Sequence, residues 1–250
     1  MKLKVVGCYG TEENGYLSTS FLIDDIIALD AGSLSSLDLK HQRKIKQIFL
    51  THSHLDHIKS LAPLTINAFS SFNGTVNIYG IEDTLHSLKK HILNNQIWPD
   101  FCRIMINGSP IFALKKIKFD ETVDIFPYKV TVFKTVHSVP SAGYLIEKGD
   151  SSLFYSGDGI IKKDLLVKLS KVKNLKALIV DVTFNNSLNE LAKVSFHNTP
   201  KMLKNVVDKY YKGDGKFYIY HMIPAYLKDL KKELKEIDYL FLHQGLVVKI

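Results

Sequence analysis

The sequence lacks the features that mark membrane-spanning, secreted and disordered proteins. Over its 250 residues no apolar run approaches the ~20 residues of a membrane span, and the apolar stretch in "MKLKVVGCYG" is too short for a signal peptide. No Pro/Gly-rich linker, internal repeat or low-complexity segment divides it. We therefore expect one globular domain over residues 1–250, located in the cytoplasm.

Cysteine is scarce as well. The chain has two, Cys8 and Cys102, and neither has the close spacing of a structural zinc site. A single disulfide is one interpretation, and two reduced thiols in a cytosolic protein are the favoured one.

Negative charge is also in short supply, so the formal net charge is +8 and the isoelectric point is near 9.2. Such a field attracts anions such as nucleotides or nucleic acid. The lysines are spread over 162–176, 201–216 and 228–235 without an arginine-rich block. The favoured interpretation is therefore a solvated lysine surface.

Short β-rich segments recur along the chain, with helical patterns between them. Branched and aromatic residues predict strands over 3–7, 20–24, 26–30, 47–51, 76–80, 128–136, 143–147, 152–157, 177–182, 216–221, 239–242 and 246–250. Apolar residues three and four apart predict helices over 57–69, 82–93, 162–172, 199–211 and 226–237. Thr199 before Pro200 has the pattern of a helix N-cap. Two sheets faced by helices, an α/β sandwich, fit this order.

The segment "IFLTHSHLDHIKSL" (48–61) holds three of the chain's ten histidines. His52 and His54 are two residues apart after a predicted strand, so in an extended segment they point the same way. Asp56 and His57 fall where the next helix begins and therefore turn elsewhere. One pair is suited to one metal ion and the second pair to another. The alternative, a polar loop with chance histidines, explains the spacing poorly.

Three further ligand candidates each end a predicted strand. They are His137, Asp158 in "GDG" and His221. Singly, each is weak evidence, because a "GDG" is usually a turn and a lone histidine usually belongs to the core. Together the seven residues predict two metal ions with Asp158 between them, since a carboxylate has one oxygen for each. Such a pair activates a water and neutralises charge on a phosphoryl group. The ligands suit zinc, with manganese or iron as alternatives.

The order His-x-His-x-Asp-His, followed by His137, Asp158 and His221, resembles the metallo-β-lactamase superfamily. The resemblance implies an αββα metallo-β-lactamase-type sandwich. It implies that His52, His54 and His137 bind the first metal, that Asp56, His57 and His221 bind the second, and that Asp158 bridges them. Zinc β-lactamases often have cysteine at the bridging position. The aspartate here is the phosphodiesterase-like pattern.

Several segments resemble the class II cyclic-nucleotide phosphodiesterases in particular. They are "THSHLDHI" (51–58), "IALDAGS" (27–33), "NNQIWPDF" (94–101), "SAGYLIE" (141–147), "FYSGDG" (154–159) and "HNTP" (197–200). Pro63 departs from the small residues that usually follow the histidine motif, which bears on nucleotide preference. Relatives of this kind tend to form dimers, so a homodimer is one expectation.

Other candidates come from the resemblance to tRNA 3′-processing nucleases, where an acidic residue and a histidine assist proton transfer. The matching residues are Asp181 and His197, and we expect His197 to protonate the leaving 3′-oxygen. The alternative is that His197 caps the helix near Thr199. Trp98 is suited either to stacking on a purine or, more often for tryptophan, to packing. Asn185 and Ser141 are candidates for contacts with the substrate.

These residues support one leading hypothesis of function and leave two alternatives. The leading hypothesis is hydrolysis of 3′,5′-cyclic AMP or GMP to the 5′-monophosphate by a metal-bridging hydroxide, with Asp56, Asp181 and His197 as catalytic residues. The runner-up is a tRNA 3′-processing-type endoribonuclease, which fits the +8 charge. Such nucleases usually have a Gly-rich basic arm that grips tRNA, and this sequence has no such segment. The third is a module that binds a cyclic nucleotide or another polyanion without turnover. It predicts a broken ligand set, whereas all seven expected ligands are present in the sequence. We expect a small-molecule substrate and no membrane partner.

Overall fold

The computed structural model of the protein describes residues 1–69, 74–237 and 239–250. The strands are β1 (Lys2–Gly7), β2 (Ser20–Ile23), β3 (Ile27–Leu29), β4 (Gln47–Phe49), β5 (Val76–Gly80), β6 (Met105–Ile106), β7 (Ser109–Pro110), β8 (Phe112–Lys116), β9 (Thr122–Ile125), β10 (Tyr128–Thr135), β11 (Ser141–Lys148), β12 (Ser151–Tyr155), β13 (Leu175–Asp181), β14 (Lys216–Tyr220), β15 (Leu240–Phe241) and β16 (Val247–Lys249). The helices are α1 (Leu39–Gln42), α2 (Leu55–Ile58), α3 (Leu61–Phe69), α4 (Glu82–His91), α5 (Lys163–Leu169), α6 (Asn189–Val194), α7 (Pro200–Tyr210) and α8 (Leu227–Lys235). None of the helices in these ranges has the length and apolar character needed to cross a membrane.

Two seven-stranded sheets in the described part of the chain share one plan. The first has the order β16-β1-β2-β3-β4-β5-β8, and the second has the order β15-β14-β13-β12-β11-β10-β9. In each sheet one half pairs antiparallel and the other half pairs parallel. The carboxyl ends of parallel strands lie at the same edge of a sheet, so each sheet gathers several of its following loops at one edge.

The inner faces of the two sheets pack directly on each other. The Phe21 ring of β2 lies 5.3 Å from the Tyr155 ring and 5.6 Å from the Tyr220 ring of the second sheet. Phe49 of β4 lies 5.2 Å from Tyr144 of β11 in the same manner. These edge-to-face aromatic pairs add to the burial of a core between the sheets.

Helices cover the outer face of each sheet. In β2, Phe21 and Ile23 belong to the inner core, whereas Leu22 joins a separate outer cluster with helices α2 to α4. This alternation follows from the two-residue period of a strand. On the other side, α5, α7 and α8 bury their leucines against the second sheet. The layers are helix, sheet, sheet and helix, which confirms the predicted αββα sandwich.

Most of the predicted elements are present, with differences in their limits. The helix predicted over 57–69 is two helices, because α2 ends at Ile58 and α3 begins at Leu61. Thr199 is the N-cap of α7, since its hydroxyl accepts from Met202 N at 3.3 Å. The strands β6 to β9 had no counterpart in the prediction; they are short or largely exposed, so they lack a strong apolar signal.

Candidate metal centre

The structure brings all seven predicted ligand residues together at one edge of the sandwich. The ligand atoms of His52, His54 and His137 lie within 4.8 Å of one another, and so do those of Asp56, His57, Asp158 and His221. We call His52, His54 and His137 the first half-site, and Asp56, His57 and His221 the second half-site. Both sets can hold a metal ion.

Asp158 lies between the two half-sites. Its Oδ2 atom is 3.1 Å from His57 Nε2 and 2.9 Å from His221 Nε2. The same oxygen is 3.9 Å from His52 Nε2 in the first half-site. Its other oxygen accepts a hydrogen bond from the buried Tyr220 hydroxyl at 2.9 Å. This arrangement fixes the carboxylate at the position expected of a bridging ligand.

Strand ends and tight turns aim these side chains. His52 and His54 lie on the extended segment after β4, and α2 begins at Leu55, so Asp56 and His57 fall in its first turn. Asp158 stands between Gly157 and Gly159, whose φ angles of 62° and 132° suit glycine best. The "GDG" turn therefore needs both glycines to place the carboxylate.

Three residues at or beside the centre have a strained backbone. Asp30, Phe196 and His221 have φ angles of 57°, 59° and 66°, which side-chain-bearing residues rarely adopt. The His221 backbone is held in this state by its N–H, which donates to Cys8 O at 2.7 Å. Such strain persists where the surrounding contacts outweigh it, and it commonly marks functional positions.

Asp30 is a central residue of the site to which the sequence analysis gave no role. Its carboxylate accepts from Thr51 N at 2.7 Å, from Thr51 Oγ1 at 2.9 Å, from His57 Nδ1 at 2.7 Å and from Tyr155 Oη at 2.6 Å. The sequence signal that could have identified Asp30 is its position at the end of the predicted strand "IALD". In the structure this strand, β3, pairs parallel with β4, which leads to the histidine motif. Asp30 therefore orients the segment that carries the first four ligands.

These hydrogen bonds decide which ring nitrogens face the centre. His57 donates its Nδ1 proton to Asp30, which leaves Nε2 toward Asp158. Thr51 gives its hydroxyl proton to Asp30, so the contact of 2.9 Å between Thr51 Oγ1 and His52 has His52 Nδ1 as the donor. His52 Nε2 then carries a lone pair.

That lone pair is the observation that tests whether a metal ion fits. His52 Nε2 is fully buried and has no hydrogen-bond partner among the described residues. A buried polar atom without a partner costs free energy, about 1–3 kcal/mol. It points toward Asp158, and His54 Nδ1 and His137 Nε2 face each other 3.2 Å apart beside it. An imidazole lone pair in such a group is what a zinc-type cation binds.

The two half-sites differ in their protonation. Burial lowers the pKa of His52 well below its usual value, and the neighbouring His57 adds to this. Burial likewise lowers the pKa of His137 to about 4. Burial also opposes charge on His221, but the Asp158 carboxylate outweighs it and raises the pKa of His221 to about 10. The first half-site is thus neutral, and the second attracts positive charge.

Beside the second half-site lies the predicted Asp181–His197 pair. His197 Nδ1 donates to Asp181 Oδ2 at 2.7 Å, and Asp181 is fully buried. Asp181 Oδ1 accepts from Thr183 Oγ1 at 2.6 Å, which leaves Thr183 to accept from His221 Nδ1 at 2.9 Å. The alternative of a capping histidine fails, because the Thr199 side chain caps the helix.

The three predicted substrate-contact residues occupy different surroundings. Trp98 packs against the outer cluster of the first sheet and donates from Nε1 to Thr65 Oγ1 at 3.0 Å, as expected for a packing role. The buried Ser141 accepts from Thr135 Oγ1 at 3.0 Å. Asn185 is buried beside Asp229 and Ser187. Contact of these residues with a substrate stays a prediction.

Comparison with known proteins places the chain in a family. The profile of the family described as Anti-Pycsar protein Apyc1 matches residues 13–243, a range that contains every residue of the candidate metal centre. The chain belongs to the Anti-Pycsar Apyc1 family.

Curated relatives of this family member share parts of its sequence. The 3′,5′-cyclic-nucleotide phosphodiesterase 1 of Saccharomyces cerevisiae is 33% identical over 98 residues, which span 38% of this chain and 26% of that enzyme. The 3′,5′-cyclic-nucleotide phosphodiesterase of Aliivibrio fischeri is 27% identical over 238 residues, covering 86% of this chain and 66% of the relative. The ribonuclease Z of Borrelia duttonii is 23% identical over 266 residues, covering 83% and 81%.

Solved structures confirm the fold. Unliganded yeast PDE1 superposes with a TM-score of 0.83 at 18% identity, covering 100% of this chain and 99% of that one. The metallo-β-lactamase fold protein YhfI from Bacillus subtilis superposes with a TM-score of 0.78 at 20% identity, covering 99% of each. The Apyc1-family chain therefore has the metallo-β-lactamase fold that the histidine motif predicted, and its relatives include cyclic-nucleotide phosphodiesterases.

Proposed function

We propose that this protein is a metal-dependent phosphodiesterase that hydrolyses 3′,5′-cyclic nucleotides to 5′-monophosphates. The observation that carries the proposal is the position of Asp158 between two sets of ligand atoms, within 3.1 Å of two histidines of one set and 3.9 Å of His52 of the other. An edge that gathers seven such side chains is suited to a pair of divalent cations.

The residues fit two divalent cations. His52, His54 and His137 would hold one, Asp56, His57 and His221 the other, and Asp158 both. When bound, such ions acidify a water molecule and offset the charge that builds up on the phosphoryl oxygens. Five imidazoles and two carboxylates suit zinc first, then manganese or iron. The donor set therefore supports zinc as the first ion to test.

We expect His197 to supply the proton that the leaving 3′-oxygen requires. Its Nδ1 proton is held by Asp181, so Nε2 is the nitrogen available to the substrate. The ring stacks on His221 with centroids 5.1 Å apart, and its ligand atom lies within 4.8 Å of those of His137 and Asp158. Asp181 acts as the positioning residue, because its carboxylate accepts the Nδ1 proton and fixes the orientation of the ring.

The cyclic-nucleotide relatives support the substrate class. Their names come from enzymes of which this chain matches only part, 26% in the yeast case and 66% in the Aliivibrio case. The adenine or guanine base is the expectation from the class II resemblance. Nothing in the ligand set reads a base, since all seven ligands face the phosphoryl-binding edge.

The test is product analysis with a panel of 3′,5′-cyclic nucleotides that carry each of the four RNA bases. We expect 5′-monophosphates to appear, to stop on chelation, and to return with zinc or manganese. The matched control is the Asp158→Ala variant loaded in the same way, which should be inactive. No turnover of any cyclic nucleotide by protein that has bound its metals would overturn the proposal.

A second candidate is a tRNA 3′-processing-type endoribonuclease, favoured by the ribonuclease Z relative, which the chain covers to 81%. It would use the same centre and the same Asp181–His197 pair. Incubation with a 3′-extended tRNA separates the two, because cleavage of that RNA without cyclic-nucleotide turnover would select the nuclease. A homodimer and a cytoplasmic location stay predictions under both candidates.

A further inference from the structure

A lysine-rich cleft lies at the end of the second sheet that is remote from the metal centre. We call it the lysine cleft and define it by six lining residues: Lys171, Lys173, Lys176, Lys212, Lys216 and Lys249. It adjoins the first residues of β13 and β14, whose opposite ends carry Asp181 and His221. Seven residues of strand separate the two ends, a distance of roughly 20 Å.

The lysines of the cleft have little negative charge near them. All six are exposed, and none forms an ion pair with any residue in the described ranges 1–69, 74–237 and 239–250. Lys212 makes one contact with a carbonyl, from Nζ to Asp208 O at 3.3 Å. Asp214 and the carboxylate of the last residue, Ile250, also line the cleft, against six lysines. The concavity therefore concentrates positive potential.

Compensation of helix dipoles explains only part of this cluster. Lys171 and Lys173 follow the carboxyl end of α5, and Lys212 follows that of α7, where positive charge is favourable. Lys176, Lys216 and Lys249 stand on strands, so no helix end accounts for them. Three strand lysines that line one concavity offer several positive charges to a single anion.

The walls of the cleft are preformed. Lys212 N donates to Ser170 Oγ at 2.9 Å, and Gly215 N donates to Tyr211 Oη at 3.1 Å, which ties the 211–216 loop to the end of α5. The cavity measures about 640 Å³, within the usual range of small-molecule sites. Tyr218, half-buried in the wall, offers an aromatic surface. A compact anion of several charges fits this space better than an extended strand.

We propose that the lysine cleft is a second binding site, separate from the metal centre, for a ligand that carries several adjacent phosphate groups. A nucleoside triphosphate and a short inorganic polyphosphate share this chemistry. The lysines contact the phosphates as point charges. A base, where there is one, lies against Tyr218.

The test is calorimetric titration of the metal-loaded protein with ATP and with tripolyphosphate at about 0.15 M salt, where weak surface charge is screened. The cleft variant carries Lys173→Glu, Lys176→Glu and Lys216→Glu. The matched control carries Lys228→Glu, Lys232→Glu and Lys235→Glu on α8, which change the net charge equally and are exposed outside the cleft. We expect the cleft variant to weaken binding by about tenfold or more, and the control by less than about twofold.

Each outcome decides the proposal. Binding of both ligands that is lost only in the cleft variant supports the phosphate chain as the shared determinant, and binding of ATP alone supports a nucleotide ligand. Equal losses in both variants would show a non-specific charge effect and overturn it. Binding of a 20-nucleotide single-stranded RNA without binding of either small ligand would overturn it too. Turnover of the cyclic nucleotide should be the same in both variants, since neither touches the metal centre.

Discussion

The two half-sites of the candidate metal centre lie side by side but differ in charge. The first half-site offers three imidazoles, and burial lowers the pKa values of all three of its histidines. In the second half-site burial also opposes charge, but Asp158 and Asp56 outweigh it and raise the pKa of His57 well above its usual value. The first half-site therefore presents lone pairs, and the second presents negative charge that holds protons.

Because of this difference, the two half-sites would bind a cation in different ways, although their ligand types are similar. In the first half-site, geometry dominates, because neutral nitrogens are already available and His52 Nε2 has no other partner among the described residues. In the second, a cation must displace protons from His57 and His221. Metal binding there is coupled to pH.

The largest effect should come from the residue that both half-sites share. Asp158→Ala removes the carboxylate that lies between them, so we expect turnover to fall by about 10³-fold or more and metal content to fall below that of the unaltered protein. Atomic absorption and cyclic-nucleotide turnover measure the two quantities. The control is Asp150→Ala, an exposed aspartate in the turn before β12. Full metal content and normal turnover in Asp158→Ala would refute the shared role.

The next effect separates proton transfer from metal binding. His197→Ala removes the ring held by Asp181 at 2.7 Å and leaves all seven ligands in place. We expect turnover to fall by about 10²-fold at unchanged metal content. A substrate with a better leaving group, such as a p-nitrophenyl phosphodiester, should be affected less, because it needs little protonation. A loss of metal would instead assign His197 to the centre itself.

A smaller effect should reveal how Asp30 supports the two half-sites unequally. Asp30→Asn weakens the direct acceptor of His57 and acts on His52 only through Thr51. We expect metal affinity to fall by about 10–100-fold. The loss should be larger at the second half-site, because Asp30 contacts His57 directly. Tyr155→Phe is the matched control, since it removes a hydrogen bond of 2.6 Å to Asp30 without touching a histidine. An equal loss for both ions would erase the proposed asymmetry.

Acidification should sharpen the same contrast. The pKa of His221 is raised to about 10, so below that pH a cation must displace its proton, and affinity for the second ion falls as the pH falls. The pKa of His137 is lowered to about 4, so it stays neutral between pH 8 and pH 6. We expect the ion of the second half-site to be lost between pH 8 and pH 6, and the ion of the first half-site to remain. Calorimetric metal titrations at pH 8 and pH 6 measure this directly, and parallel losses would contradict it.

The smallest effect should come from Asp24, which lies at the end of the sandwich opposite the metal centre. A change there tests whether overall stability, instead of local charge, explains the difference between the half-sites. Asp24 of the first sheet accepts from Tyr128 Oη at 2.8 Å and from Lys148 Nζ at 2.7 Å in the second. Burial opposes its charge, but the hydrogen bonds from Lys148, Tyr128 and the Lys2 backbone, together with the charge of Lys148, outweigh burial and lower the pKa of Asp24.

A lowered pKa makes the contribution of Asp24 fully present above its unfolded value, near pH 4, and lost as the pH falls through the folded one. Asp24→Asn should therefore destabilise the fold by about 1 kcal/mol at neutral pH and less in acid. Chemical denaturation at pH 7 and pH 3 measures this. Both half-sites should keep their ions, and a loss of metal would show that stability drives the difference between them.

The candidate ligands of the centre and the order of the layers could be predicted from the sequence alone. The ligand positions follow strand ends, and a strand that ends before a helix start must turn Asp56 and His57 away from His52 and His54. The N-cap at Thr199 was equally readable, because a cap depends on neighbouring residues alone. Such features arise from local pattern and need no knowledge of distant contacts.

The contacts of these residues, in contrast, depend on the three-dimensional fold. The role of Asp30 rests on Thr51, His57 and Tyr155, which stand up to 125 positions away. The lysine cleft joins the ends of α5, α7 and β16, and in sequence its lysines looked like ordinary solvated charge. The hydrogen bonds that fix each imidazole, and the charge that separates the two half-sites, depend on which side chains the two sheets bring to one edge. Distances across the sandwich set these interactions, and no spacing along the chain encodes them.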